Sequence, residues 1–356
     1  MRLALLIGTT AMAIGAMSLP ANAAAGPQTR DDLQESLDSI VTAGATGAIA
    51  QVRHGRQVWR LGSGTIAPGG AAVRGNEKFR AGSSTKPFVA TVILQLVAER
   101  EIRLDDPVER WLPGVVPGGS EIRIRHLLGH TSGLADVLRT IPLPPSPDFE
   151  AYRWRDWTMS ELVARATSLP PLFAPGDGWS YSNTNYLLLG MVIERVTHQS
   201  YADEIKRRLI WPLGLSDTSL PGTELRIHGP HLRGFVGTAD MTELNPSLMS
   251  AGGELISTTA DLSKFHTALL RGRLVPKSLL EQMKAPARDG ATYGLGLRWR
   301  TLSCGDTVYG HDGDALGYST WSFTNPRNDR QITVNITPPG PKPRAEVNAL
   351  LDKALC

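Results

Sequence analysis

The apolar positions of the chain change period several times, and each change predicts an element. Leu33, Leu37, Ile40 and Val41 form one helical stripe behind Thr29, a residue type that caps helices. Residues 48–53 and 57–61 follow as two strand-like segments. Between them lies His54-Gly55-Arg56, which predicts a hairpin. A glycine-rich loop over 62–75 leads into Phe79-Arg80-Ala81-Gly82-Ser83-Ser84-Thr85-Lys86-Pro87-Phe88. From 88 to 98 the chain is apolar almost without a break, which predicts a helix buried on all sides. Pro87 fits its first turn, where a missing N–H leaves no bond unmade.

Residues 84 to about 250 read as helices and loops. Short helices are expected over 161–166 behind Ser160, and over 185–196 through Leu187, Leu188, Met191, Val192 and Val196. The proline-rich stretch 142–147 is a loop. After Gly252-Gly253 a helix starting at 257 turns Leu262, Phe265, Leu269 and Leu270 inward. Strands over 307–310, 318–323 and 331–336 follow. Val347, Leu350, Leu351 and Ala354 close the chain on an amphipathic helix. Strands at both ends with helices between predict an α/β (α+β) chain with one sheet built from both ends. Residues 24–82 and 253–356 would form the sheet domain, and 83–252 a mostly helical one.

The 356 residues are 41% hydrophobic, enough for a sizeable core. A formal charge of +3, with no basic block interleaved with aromatics, argues against a nucleic-acid partner. The first 23 residues read as a signal peptide: Arg2, then an apolar run over 3–16, then Ala21-Asn22-Ala23 as a small-x-small cleavage site. Secretion with cleavage after Ala23 is expected. The apolar run is too short for a permanent span, so no membrane anchor is expected. The chain has two cysteines, Cys304 and Cys356. In an exported protein these are most simply one disulfide, the alternative being two free thiols.

Three stretches carry candidate chemistry. Ser83 and Lys86 lie three apart at the start of the buried helix, on one face. A hydroxyl beside an amine there is a nucleophile with a built-in base, because desolvation and the helix N-terminus both disfavour the ammonium form. No other lysine of the chain has a serine three residues before it. Tyr181-Ser182-Asn183, in the turn-rich stretch from Pro175, pairs a phenol with an amide. A phenol near cations can be deprotonated or shuttle a proton, and an amide can hold a substrate peptide bond. The plainer alternative is a packed loop tyrosine and an asparagine bonding its own turn. Tyr309-Gly310-His311-Asp312-Gly313-Asp314 ends a strand, where a cation beside small residues would let a substrate backbone lie along the edge. A hairpin carrying an incidental histidine is the alternative there.

Ser-x-x-Lys, Tyr-x-Asn and His-x-Gly in that order resemble the penicillin-recognising serine hydrolases. Leu127-Leu128-Gly129-His130-Thr131-Ser132-Gly133-Leu134 and Tyr293-Gly294-Leu295-Gly296-Leu297-Arg298 resemble their secreted actinomycete D-alanyl-D-alanine carboxypeptidases in particular. The likeness runs from about residue 30 to Cys356. It implies a beta-lactamase/transpeptidase-like fold: an antiparallel five-stranded sheet flanked by helices, with a helical domain beside it. It also implies that Ser83 is acylated, Lys86 is the general base and Tyr181 relays the proton. Asn183 would hold the substrate amide, and His311 would add positive field. The backbone N–H groups of Ser83 and Asp314 would form the oxyanion hole, a contribution of about 3–4 kcal/mol per donor, and Gly313 would belong to the substrate-binding edge. Arg298 would take a terminal carboxylate. A Cys304–Cys356 disulfide is implied as well.

The sequence departs from the family at Asp312, where these carboxypeptidases usually carry threonine. A carboxylate there repels a substrate carboxylate unless it is protonated or paired. It either pairs with Arg298 or favours substrates without a carboxylate.

The expected activity is a secreted D-Ala-D-Ala carboxypeptidase acting on peptidoglycan stem peptides. The alternatives are a β-lactamase, esterase or D-stereospecific amidase of the same chemistry, with β-lactams as inhibitors or substrates. A non-catalytic binding module is the remoter one. No Gly-x-Ser-x-Gly elbow exists. His126 and His130 are four apart, but Leu127 stands where a zinc hydrolase needs glutamate. No metal and no cofactor is expected, and a monomer is assumed.

Overall fold

The computed structural model describes residues 29–356. The expected signal peptide lies outside the described residues. Helix α1 (Arg30–Thr42) starts at Thr29 through a capping box with Asp32. Strands β1 (Gly47–His54) and β2 (Gln57–Gly64) form the expected hairpin. Short strand β3 (Phe79–Arg80) pairs with β4 (Ile256–Ser257) and feeds a tight turn, Gly82–Thr85, from which helix α2 (Lys86–Ala98) departs. Helix α3 (Asn183–Thr197) and helix α4 (Thr259–Leu270) come next among the long helices. Strands β5 (Arg298–Thr301), β6 (Thr307–Ala315), β7 (Tyr318–Asn325) and β8 (Arg330–Ile336) then lead to helix α5 (Arg344–Leu355).

The main sheet is antiparallel, in the order β2-β1-β8-β7-β6-β5. Among the described residues it has six strands rather than the expected five. The sixth, β5, reads Arg-Trp-Arg-Thr and is only partly buried, so no apolar alternation announces it. Its pairing with β6 across the turn at 302–306 makes it a strand.

Two other expectations shift. The helix expected behind Ser160 spans Met159–Thr167, because Thr158 and Glu161 form the capping box instead. Helix α3 begins at Asn183, not 185, which moves Asn183 from a loop into a first helical turn.

The sheet has two different faces. On one, Ala48, Ala50, Val52, Ile332, Val334 and Ile336 pack on Leu33 and Leu37 of α1 and on Val347, Leu350 and Leu351 of α5. On the other, Ser322, Gln331 and Thr333 are fully buried beneath α4. Their polar groups are joined to Ser263 and His266 by hydrogen bonds. Helix α2 is buried from Lys86 to Leu94 in the larger core, shared with Leu187, Leu188, Val192 and Phe265. Cys304 and Cys356 are joined, which ties the β5–β6 turn to the end of α5. Among the described residues, no helix is long and apolar enough to cross a membrane.

Candidate active site

The site is built where β3 turns into α2. Gly82 has φ +53°, and a Cβ there would collide with the Asp314 carbonyl. A Cβ on Gly313 would likewise meet the Ala81 carbonyl. Only bare backbone lets β6 approach the Ser83 turn this closely, and the approach sets Ser83 beside Asp314. Thr85 Oγ1 donates to Gly82 O at 2.7 Å and accepts from Leu255 N at 3.0 Å, fixing the turn. Ser83 keeps partial exposure on the cleft side while Ser84 and Thr85 are buried.

Lys86 is fully buried, and its Nζ is within hydrogen-bond distance of three oxygens. Ser83 Oγ lies at 3.1 Å, Asn183 Oδ1 at 2.7 Å and Gly252 O at 2.6 Å. Burial brings its pKa down from 10.5 to about 7; Asp136 and Asp312 hold it up, and Arg298 opposes them. A substantial fraction of neutral amine is therefore present near neutral pH. The Tyr181 ring centroid is 4.9 Å from Nζ and the Tyr186 centroid 5.4 Å.

Tyr181 stacks on His130 at 4.3 Å between centroids. Burial pushes its phenol well above the ordinary range, with Tyr293 adding to this and the nearby Ser83 hydroxyl opposing it. The resting phenol is thus protonated. The expectation that nearby cations could leave it deprotonated is corrected. His130 is buried, and its Nδ1 accepts from Ser182 N at 3.2 Å, holding the Tyr181–Asn183 stretch. It does not join His126, whose Nδ1 accepts from Arg123 N, as metal ligands would require.

His311 also departs from its expected role. It is buried against Tyr293, whose hydroxyl lies 2.9 Å from Nε2. Burial, then the charges of Arg298 and Lys86, take its pKa well below the ordinary value. It is a neutral imidazole and supplies no positive field. Arg298 lies on β5, opposite Gly310 of β6. The guanidinium is already engaged: Arg298 Nη1 donates to Asp312 Oδ2 at 2.8 Å. Asp314 is exposed and pairs with Lys342 Nζ at 2.5 Å and Ser319 Oγ at 2.8 Å.

Asp136 is the member of the cluster that sequence reasoning missed. It caps the short turn Val137–Thr140 and accepts from Leu138 N at 3.0 Å. Its carboxylate also accepts from Asn183 Nδ2, at 2.9 and 3.2 Å. A cavity of about 350 Å³ opens beyond Asp314, walled mainly by Leu138, Phe149, Phe235, Leu248, Leu316 and Tyr318. Among the described residues, no group of three or more His, Cys, Asp or Glu side chains converges as a metal site.

A family model described as Beta-lactamase matches residues 33–355. The chain belongs to the beta-lactamase family. Penicillin-binding protein 4* of Bacillus subtilis is 30% identical over 272 residues, 69% of this chain and 57% of that protein. Esterase EstB of Burkholderia gladioli is 38% identical over 193 residues, 50% of this chain and 48% of that protein. The matched segments thus span about half the length of these two relatives. A D-stereospecific amidohydrolase from Streptomyces superposes with a TM-score of 0.84 at 38% identity, over 92% of this chain and 99% of that one. The chain has the beta-lactamase/transpeptidase-like fold of that family of serine hydrolases.

Proposed function

We propose that this chain is an acyl-serine amidohydrolase for D-aminoacyl amides and esters that carry no carboxylate on the leaving side. The Arg298–Asp312 ion pair carries this reading. At 2.8 Å it occupies the guanidinium that would receive a substrate carboxylate, and sets a second carboxylate beside it. The mainly apolar cavity beside Asp314 has room for an aromatic or branched substrate group. The likeness to the Streptomyces D-stereospecific amidohydrolase supports amide hydrolysis with a D preference.

In this mechanism neutral Lys86 takes the Ser83 proton as Oγ bonds to the substrate carbonyl carbon. The backbone N–H groups of Ser83 and Asp314 receive the developing oxyanion. The C–N or C–O bond then breaks. Tyr181 hands its proton to the leaving amine or alkoxide and is reprotonated from Lys86. Water, deprotonated by the same pair, releases the acid and restores Ser83. Asn183 and the neutral His311–Tyr293 pair hold the surroundings of that exchange. The Cys304–Cys356 bond supports an oxidising compartment, and with it export.

A D-Ala-D-Ala carboxypeptidase acting on stem peptides is the second reading, favoured by the place of Arg298 and the penicillin-binding relative. Hydrolysis of D-phenylalanine amide and its p-nitroanilide is to be compared with D-alanine release from a diacylated Lys-D-Ala-D-Ala peptide, with Ser83→Ala as control. The amide should be cleaved with a D preference and the peptide left intact. D-alanine release matching the amide rate would replace the first reading by the second.

A further inference from the structure

The hydrogen-bond inventory around Lys86 contains one group whose orientation is not self-determined. An ammonium has three protons and no lone pair; a neutral amine has two protons and one lone pair. Gly252 O can only accept, so it always takes one Lys86 N–H. Asn183 is ambiguous, because its amide can offer Lys86 either an oxygen or an N–H. With Oδ1 turned inward, the second N–H is used and the lone pair of the neutral amine is left for Ser83 Oγ. With the amide turned over, Nδ2 would donate to that lone pair and Ser83 would lose its base.

What faces the other end of the amide decides between these. Asp136 presents two carboxylate oxygens to Nδ2, at 2.9 and 3.2 Å. Turning the amide over would set Oδ1 against those oxygens. Asp136 is itself held by Leu138 N, and its chain by Val137 N on Thr184 Oγ1 at 3.0 Å. Among the described residues no Lys, Arg or His nitrogen lies within 4.0 Å of it, whereas Asp312 and Asp314 each have a cation partner. We propose that Asp136 is a positioning residue: by fixing the amide of Asn183 it aims the Lys86 lone pair at Ser83. This rests on the reading of Lys86 as the base, not on the identity of the substrate.

The test reads Ser83 acylation directly, with a fluorophosphonate probe. There the Oγ–P bond forms, the P–F bond breaks and fluoride leaves while the serine proton passes to Lys86. The groups that act on Lys86 are Asp136, Asp312, Arg298, His130, His311 and the phenols of Tyr181 and Tyr186. Asp136→Asn keeps the shape but can pair with either end of the Asn183 amide. Its acylation rate should fall about tenfold or more, the factor that ~1.4 kcal/mol represents. The probe concentration at half-saturation should stay the same. Because Asp136 holds the Lys86 pKa up, the acid limb of the rate should also move to lower pH.

Thr184→Val loosens the same loop but keeps the carboxylate, and should leave that limb in place. Asp136→Glu keeps the charge, and should lower the rate without moving the limb. An unmoved limb in Asp136→Asn, or the same displacement in all three variants, would overturn the proposal. Wild-type acylation without any D-aminoacyl amide hydrolysis would remove the substrate reading and leave this one measured. No acylation of the wild type would remove both.

Discussion

Lys86 and Arg298 are close enough for their charges to act on each other, and their surroundings are opposite. Lys86 is fully buried and touches only neutral oxygens; its pKa falls to about 7. Arg298 is partly exposed and bound to a carboxylate at 2.8 Å. The first cation is made reactive by having no counterion in contact. The second is made quiet by having one. A change at the Arg298 side can therefore retune what the site accepts while reaching the bond-breaking Lys86 only through its charge. That is the pattern expected when a family keeps its chemistry and varies its substrates.

The sharpest way to break this contrast is Lys86→Met. Hydrolysis should fall about 10²–10⁴-fold, the range for loss of a general base. Stability should change with pH. Between pH of about 7 and 10.5 the unfolded lysine holds a proton that the folded one has released, so this group makes stability rise with pH across that window. Its cost is fully present below pH of about 7. Lys86→Met leaves Asn183 Oδ1 and Gly252 O without a donor at every pH, so its melting temperature relative to the wild type should be most favourable below pH of about 7 and become less so up to about 10.5. A difference that stays constant between pH 6 and 11 would mean that the amine is not desolvated in the folded protein.

Next in size is Asp312→Thr, which frees Arg298. A recovered charge-assisted hydrogen bond of about 1.5–3 kcal/mol should raise D-alanine release from a Lys-D-Ala-D-Ala peptide tenfold to a hundredfold. Adding Arg298→Ala should cancel the gain. If release did not rise at all, the ion pair would not be what excludes the carboxylate.

The smallest effect is expected at His311. As a neutral ring it contributes hydrogen bonding to Tyr293 but no charge. His311→Gln should lower the rate a few-fold and leave the acid limb of kcat/KM near pH 7. A limb displaced to higher pH would show that a cation had been removed.

Much of this was legible in the sequence because it depends on spacing. Ser83 and Lys86 meet because three residues make nearly one helical turn, and an unbroken apolar run buries that helix. The terminal strands and helices follow from alternation and periodicity. What was not legible depends on neighbours far apart in sequence. The charge of His311 is set by its burial against Tyr293 and by Arg298, which no local pattern records. Asp136 stands two residues beyond Leu134 with nothing to mark it, and gains its role only because Asn183, 47 positions later, folds against it. Strand β5 escaped because pairing, not apolar content, makes it a strand. The start of α3 was set two residues late, and that shift is what moves Asn183 out of a flexible turn.

The mutual exclusion of side chains at Gly82 and Gly313 also bears on how the molecule can change. Neither position can be sampled by substitution without prising β6 off the serine turn. Along this strand, changes of specificity are therefore open at the alternate residues Asp312 and Asp314, which lie on the opposite face from Gly313. Exchanging that pair would alter the edge of β6 while the glycine seam beneath it stays in place.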